Sequence, residues 1–330
     1  DPALREGTGI VARPMRSEVL ERHQVWLCLA AIGVGAALGL AAPVVAAPAE
    51  AMITPVLALL LYVTFLGVPF RQLARSVRDV RFLATVFAVN FVAVPAIVWL
   101  VTRPIAAQEP LLIGALLVLL TPCVDYVVAF TGLAGGAKDR LLAATPLLMV
   151  GQMLALPLFL RWFVGPTVAA GFDLGPFVDA FVWVILVPLV AAGVTQLFTR
   201  TRGGRAVQSA GETSMVPLMM LTLATVVASQ VSAVGTQVTE LARLIPIYVS
   251  FAVLMVGVGM IVSRWTGLEF AARRAVVFSG VTRNSLVVLP LALALPPDYA
   301  LAPLAVVTQT LVELILIVVL VRVVPRLIPR

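Results

Sequence analysis

Long apolar runs separated by short polar segments make up most of the chain. A helix needs about 20 consecutive apolar residues to cross the roughly 30 Å of hydrocarbon in a bilayer. Runs near this length lie at about residues 24–42, 51–69, 82–102, 110–134, 140–163, 176–199, 214–232, 243–263, 271–295 and 300–323. The pattern predicts an all-α membrane protein with ten transmembrane helices.

The composition supports an integral membrane protein. Of 330 residues, 61% are hydrophobic and only 12% are charged, whereas soluble domains carry about 25% charged residues. The linkers are too short for a separate soluble domain. We therefore expect a polar cytoplasmic tail over residues 1–22 and a single ten-span domain over residues 23–330.

The basic residues are distributed unevenly between the linkers. One set of alternate linkers and termini holds nearly all of them, within residues 5–22, 71–81, 138–140, 200–205, 264–274 and 322–330. Because cytoplasmic loops of membrane proteins carry the excess of Lys and Arg, both termini are predicted to be cytoplasmic, in a multi-pass protein of the cell membrane. The net charge of +7 is thus explained by orientation in the bilayer and does not indicate nucleic-acid binding.

Two of the predicted spans are interrupted by polar residues. Span 4 contains Thr-Pro-Cys-Val-Asp-Tyr over residues 121–126, and span 9 contains Gly-Val-Thr-Arg-Asn-Ser over residues 280–285. Pro122 removes an intrahelical hydrogen bond, and a break inside a membrane span is tolerated only in protein or beside a wet cavity.

The positions of the two breaks suggest an internal repeat. A division near residue 165 leaves five spans in each half, about 23–163 and 176–323, and an odd number forces the second half to be inverted. The fourth span of each half carries the break. Inverted repeats with discontinuous helices at matching positions indicate the central site of a secondary carrier, where helices 4 and 9 would cross.

Ionisable and thiol side chains in the spans are the first site candidates. Asp125 and Arg283 are expected to pair across the two breaks, as a structural ion pair or as part of transport, because charges inside the membrane are costly when unpaired. Glu313 either bonds a neighbouring helix or carries a proton. Cys123 is either a buried small side chain or a contact for the substrate.

Uncharged polar residues complete the predicted site. They are interhelical hydrogen-bond partners or substrate ligands. The candidate substrate ligands are Thr121, Tyr126, Asn90, Asn284 and Ser285, and Gln152 and Ser279 are candidates for a polar cavity.

Three spans resemble a known family. Span 4, LTPCVDYVVAFTGLAGGAKD, is similar to the signature of the arsenical-resistance-3 type arsenite carriers, with Cys123 on the family cysteine. Asn90-Phe91 with Pro95 in span 3, and residues 310–314 (TLVEL) in span 10, are also similar. The resemblance places the chain in the bile acid/sodium symporter superfamily. It implies a core domain of spans 3–5 and 8–10 and a panel domain of spans 1, 2, 6 and 7.

The sequence departs from the family at charged positions. Pro122 replaces an arginine, Arg283-Asn284 replaces an Asn-Asn pair, and Leu286 replaces a glutamate. Ser279 and Arg283 align with positions that bind sodium in the bile-acid branch. Because a fixed guanidinium repels a nearby cation, we expect coupling to protons rather than to sodium.

The combined interpretation is an arsenite-type efflux carrier driven by proton exchange, with Cys123 contacting the arsenic atom. The alternative is a carrier of the same fold for a small organic anion, bound by Arg283. The sequence has no HExxH or GxSxG motif and a single His, which argues against an enzyme. The two cysteines lie in separate apolar runs, so no metal site is predicted, and no motif implies a cofactor.

Overall fold

The computed structural model describes residues 15–67, 79–124, 126–165, 179, 182–199 and 201–330, and within these ranges the regular structure is helical. We number the helices of eight or more residues in chain order. They are α1 (Met15–Ala41), α2 (Ala46–Leu66), α3 (Val80–Val101), α4 (Glu109–Leu119), α5 (Tyr126–Leu133), α6 (Lys138–Val164), α7 (Val182–Leu197), α8 (Arg202–Thr236), α9 (Leu244–Trp265), α10 (Phe270–Val281), α11 (Ser285–Leu293) and α12 (Leu301–Leu327).

Every predicted span overlaps one helix or one pair of consecutive helices. Among the described residues, six segments are long and apolar enough to cross a membrane by themselves, and three shorter apolar helices accompany them. The protein is therefore a multi-pass membrane protein. The count of ten spans and the inverted repeat stay predictions, as does the division into residues 1–22 and 23–330.

One group of helices is formed by α1, α2, α7 and α8, which pack mainly on one another. Glycines bring α1 close to α8: a Cβ atom on Gly35 would lie 2.5 Å from the carbonyl oxygen of Ala224, and one on Gly39 would lie 2.5 Å from that of Ala228. Small residues four apart on both helices permit this close approach, which is how membrane helices gain packing energy in lipid.

The second group contains the remaining helices, with α9 against α10 and α12 against α4 and α11. Gly114 sets the approach of α4 to α12, because a Cβ atom there would lie 2.5 Å from the carbonyl oxygen of Ala302. The two groups agree in membership with the panel and core expected from the resemblance.

Both predicted breaks are present, and the second is shorter than predicted. The helix before it continues through Gly280 and Val281, so only Thr282, Arg283 and Asn284 lie between α10 and α11. Thr282 has an extended backbone (φ −80°, ψ 136°), which ends α10, and Asn284 caps α11 by accepting a hydrogen bond from the backbone N–H of Val287 at 3.1 Å.

A π-helical segment, Val89–Ala93, interrupts α3. It contains Asn90, whose side chain is fully buried. Single π-helical turns inside α-helices are frequent at functional sites because they rotate the side chains that follow. The segment faces α10 and α9.

Candidate functional site

The two breaks meet as a short antiparallel pairing centred on Pro122 and Arg283. The backbone N–H of Cys123 donates to the carbonyl oxygen of Thr282 at 3.3 Å, and the N–H of Asn284 donates to that of Thr121 at 2.9 Å. Backbone groups that have no intrahelical partner at one break therefore form hydrogen bonds with the other break. The expected crossing of the two broken helices is present.

The two threonines of the crossing have matching roles. Thr121 donates its hydroxyl to the carbonyl oxygen of Leu117 at 2.8 Å, and Thr282 donates to that of Phe278 at 2.7 Å. Each hydroxyl satisfies a carbonyl in the last turn before the break. Thr121, a predicted substrate ligand, therefore retains only oxygen lone pairs for a further hydrogen bond.

The guanidinium of Arg283 is fully buried beside the crossing. Its Nη2 lies 2.9 Å from Oδ1 of Asn90, 2.5 Å from the carbonyl oxygen of Ser279 and 2.8 Å from that of Gly280. Its Nη1 lies 3.4 Å from the carbonyl oxygen of Leu119. The charge is thus surrounded by oxygen acceptors from three helices, which lowers the cost of burying it.

Asn90 links α3 to α10 as well as to Arg283. Its Nδ2 donates to Oγ of Ser279 at 2.9 Å and to the carbonyl oxygen of Val86 at 2.9 Å. Three residues singled out from spans 3 and 9, Asn90, Ser279 and Arg283, therefore form one hydrogen-bonded cluster. We call it the Arg283 cluster.

Glu313 joins α12 to the crossing. Its Oε2 accepts a hydrogen bond of 2.9 Å from the backbone N–H of Arg283 and another from Nε2 of Gln309. Glu313 and Gln309 are 5% and 4% exposed. The sequence analysis missed Gln309, although its spacing of four residues from Glu313 on an apolar helix was a usable signal.

Cys123, Asn284 and Ser285 lie at the crossing and are 1%, 0% and 1% exposed. Two of their polar atoms, Nδ2 of Asn284 and Oγ of Ser285, have no hydrogen-bond partner in the described part of the chain. Buried polar atoms without partners are rare in native structures and frequently mark a ligand or water site.

The remaining predicted site residues are Asp125, Tyr126 and Gln152. Asp125 and the side chain of Tyr126 lie outside the described residues, so their pairing and roles stay predictions. Gln152 is buried in α6, and no described hydrogen bond connects it to the crossing. Among the described residues, no three His, Cys, Asp or Glu side chains are grouped to hold a metal ion.

A comparison with protein families covers nearly the whole chain. Residues 26–326 match the SBF-like CPA transporter family (DUF4137). The chain belongs to this family. It is a bile acid/sodium symporter-like family of transporters and not of enzymes, so membership implies secondary transport of a small molecule across the membrane. No curated protein matches the chain.

One further arginine of this SBF-like transporter has a structural role that the sequence analysis did not assign. Arg274 in α10 donates from Nη1 to the carbonyl oxygen of Ala134, at 2.9 Å, and from Nε and Nη2 to that of Ile328, at 3.1 and 2.8 Å. These carbonyls follow the C-terminal ends of α5 and α12, where the helix dipoles favour a cation. Sequence analysis used Arg274 only as one of the orienting charges.

Proposed function

We propose that this protein exports a small, uncharged, hydroxylated metalloid of the arsenite type in exchange for protons. The observation that supports this proposal is the burial of Cys123 at the crossing together with Asn284 and Ser285, whose Nδ2 and Oγ atoms have no hydrogen-bond partner among the described residues. Arsenite at neutral pH is a neutral trihydroxide. A thiol and hydrogen-bonding groups together match both parts of its chemistry.

The thiol supplies the soft ligand. Arsenic bonds sulfur in preference to oxygen, and the thiolate is the reactive form of cysteine. The hydroxyls of the substrate would accept from Nδ2 of Asn284 and exchange hydrogen bonds with Oγ of Ser285. Asn90, Thr121 and Tyr126 remain candidates for further contacts.

Access to Cys123 requires a conformational change. The side chain is only 1% exposed, so a substrate reaches it only when neighbouring helices separate. Movement of the α1, α2, α7 and α8 group against the rest of the helices would supply this opening, as in carriers that rock one bundle against the other.

Coupling to protons is proposed from the charges at the crossing. Arg283 holds a fixed positive charge where a coupling cation would otherwise bind, and Coulomb repulsion at this range disfavours sodium. Glu313 and Asp125 are the candidate proton carriers, since ionisable residues inside a membrane are functional by default.

A small organic anion is the alternative cargo, with Arg283 as the binding charge. Nη2 of this residue is already within hydrogen-bond distance of Asn90, Ser279 and Gly280. An anion would have to displace these neutral acceptors from the guanidinium. This arrangement favours the metalloid over the anion.

Uptake into everted membrane vesicles tests the proposal, with arsenite and a panel of organic anions supplied separately under an imposed proton gradient. Cys123→Ser should abolish arsenite uptake in a folded protein, because a hydroxyl does not replace the soft thiol. The matched control is Cys28→Ser, a buried cysteine of α1, which should transport normally. Full arsenite uptake by Cys123→Ser would overturn the proposed chemistry, and anion uptake lost only in Arg283→Gln would support the alternative.

A further inference from the structure

A small cavity lies beside Glu313, between α9 and α12. It has about 10 Å³ of room for the centre of a water-sized sphere, which is about what one buried water molecule needs. Its walls are largely apolar, from residues such as Leu119, Phe251 and Ala252. The polar residues in the lining are Tyr248, Thr282, Gln309 and Glu313.

Three polar side chains of this cavity, Tyr248, Thr282 and Gln309, have an oxygen atom that can accept a hydrogen bond. Tyr248 already donates its hydroxyl to the carbonyl oxygen of Ala305 at 2.9 Å, and Thr282 donates to that of Phe278 at 2.7 Å. Oε1 of Gln309 is buried and accepts no hydrogen bond from the described residues. A molecule that donates hydrogen bonds would satisfy Gln309 and fit the lone pairs around it.

Gln309 connects this cavity to the carboxylate. Its Nε2 donates to Oε2 of Glu313. Its Oε1, which has no hydrogen-bond partner among the described residues, belongs to a side chain that lines the cavity. Rotating the side-chain amide of Gln309 by half a turn exchanges the positions of Oε1 and Nε2. Oε1 then accepts a hydrogen bond from a protonated Glu313, and Nε2 occupies the place that Oε1 held before. The amide is therefore suited to both protonation states of the carboxyl group.

We propose that the cavity binds a single water molecule or hydronium ion through which Glu313 exchanges its proton, with Gln309 as the positioning residue. In the uptake step, an O–H bond of hydronium breaks, an O–H bond forms on the Glu313 carboxylate, and neutral water remains. Of the charged or titratable groups in the described part of the chain, Arg283 contacts Glu313 through its backbone N–H, and Tyr248 on α9 lines the same cavity. The inference rests on the proton coupling of the proposed function.

Proton exchange at this site would act on the crossing directly. Oε2 of Glu313 accepts the backbone N–H of Arg283, and a carboxylate is a stronger acceptor than a neutral carboxylic acid. Protonation of Glu313 therefore weakens the hydrogen bond that holds α12 to the segment between α10 and α11.

Two variants test the site by separate routes. Gln309→Leu removes the amide, and Ala252→Leu fills the cavity without changing a polar group. The matched controls are Thr308→Val, whose hydroxyl bonds the carbonyl oxygen of Leu304, and Val253→Leu, which is 64% exposed on α9. Infrared difference spectra of the purified protein in lipid, without cargo, would report exchange of the Glu313 carboxyl proton for deuterium. Glu313→Gln identifies the band.

Both test variants should slow the exchange at least about tenfold, the effect of about 1.4 kcal/mol in a barrier, while both controls exchange like the parent protein. Either test variant is sufficient if the other does not fold. Parent-like exchange in the folded variants would overturn the inference, and so would the absence of a titrating Glu313 band. Because no arsenite is present, slowed exchange would support this site even if arsenite proved not to be the cargo.

Discussion

Oδ1 of Asn90 lies 2.9 Å from Nη2 of Arg283 and so joins the π-helical segment of α3 to the link between α10 and α11. The contact brings together residues that are 193 positions apart in the chain. Because the guanidinium is fully buried, each oxygen acceptor around it offsets part of the cost of removing the charge from water.

Asn90→Leu should lower the free energy of unfolding by about 1.5–3 kcal/mol, the range for a hydrogen bond to a charged group. Asn90→Asp keeps an oxygen acceptor and should lower the free energy of unfolding by a smaller amount. Thermal unfolding in detergent measures both against Thr85→Val, a buried residue of α3 whose hydroxyl donates to the carbonyl oxygen of Arg81 in the same helix at 2.7 Å. If Asn90→Leu is as stable as Thr85→Val, the guanidinium does not depend on Asn90.

Asp125 and Arg283 are predicted to neutralise each other at the crossing. Asp125→Asn and Arg283→Gln should each reduce stability or transport, and the double variant should recover part of the loss. Removing one partner of a buried pair costs about 3–5 kcal/mol, more than removing both. A double-mutant cycle on unfolding free energy and initial uptake rate tests this, and strictly additive losses would argue against contact.

Transport is expected to be independent of sodium. Replacing sodium by choline at constant pH should leave the initial rate unchanged, while a pH gradient should change it through Asp125 or Glu313. Glu313→Gln and Asp125→Asn, measured separately, identify which carboxyl group responds. A saturable dependence of uptake on sodium would contradict this prediction.

Arg274→Gln should destabilise the protein by about 2–4 kcal/mol because it removes charge-assisted hydrogen bonds to the ends of α5 and α12. Arg273→Gln, at the neighbouring position, should cost less than about 1 kcal/mol. The comparison of unfolding temperatures at equal protein concentration separates the role of these contacts from the general loss of a basic residue. Equal destabilisation by Arg274→Gln and Arg273→Gln would refute a stabilising role for the Arg274 contacts.

Gly39→Ala should weaken the packing of α1 on α8. The added Cβ atom would lie 2.5 Å from the carbonyl oxygen of Ala228, and overpacking of this kind costs about 1–3 kcal/mol. Gly33→Ala is the matched control on the same helix, because a Cβ atom there would meet nothing within 4 Å. Unfolding measured in the same detergent should separate the two variants, and equal stabilities would contradict the close approach of the helices.

Local sequence determines the helices and the two breaks. Pro122 lacks a backbone N–H, which favours a break in a helix, and the length and hydropathy of each run predict a membrane helix. The spacing of the breaks within the two predicted five-span halves was also the basis for predicting that they cross. The sequence analysis placed the start of the break at Gly280, before the true end of α10. In the structure, α10 continues as far as Val281.

The partners of the buried polar groups were decided by the tertiary structure. Sequence analysis placed Asn90, Ser279, Arg283 and Glu313 at one site but did not assign which atoms bond, and its pairing of Arg283 with Asp125 stays a prediction. It left out Gln309 and gave Arg274 no structural contact. The physical reason is that hydrogen bonds between distant helices depend on how those helices are rotated and on how closely glycines such as Gly114 let them approach, and hydropathy along one chain contains neither quantity.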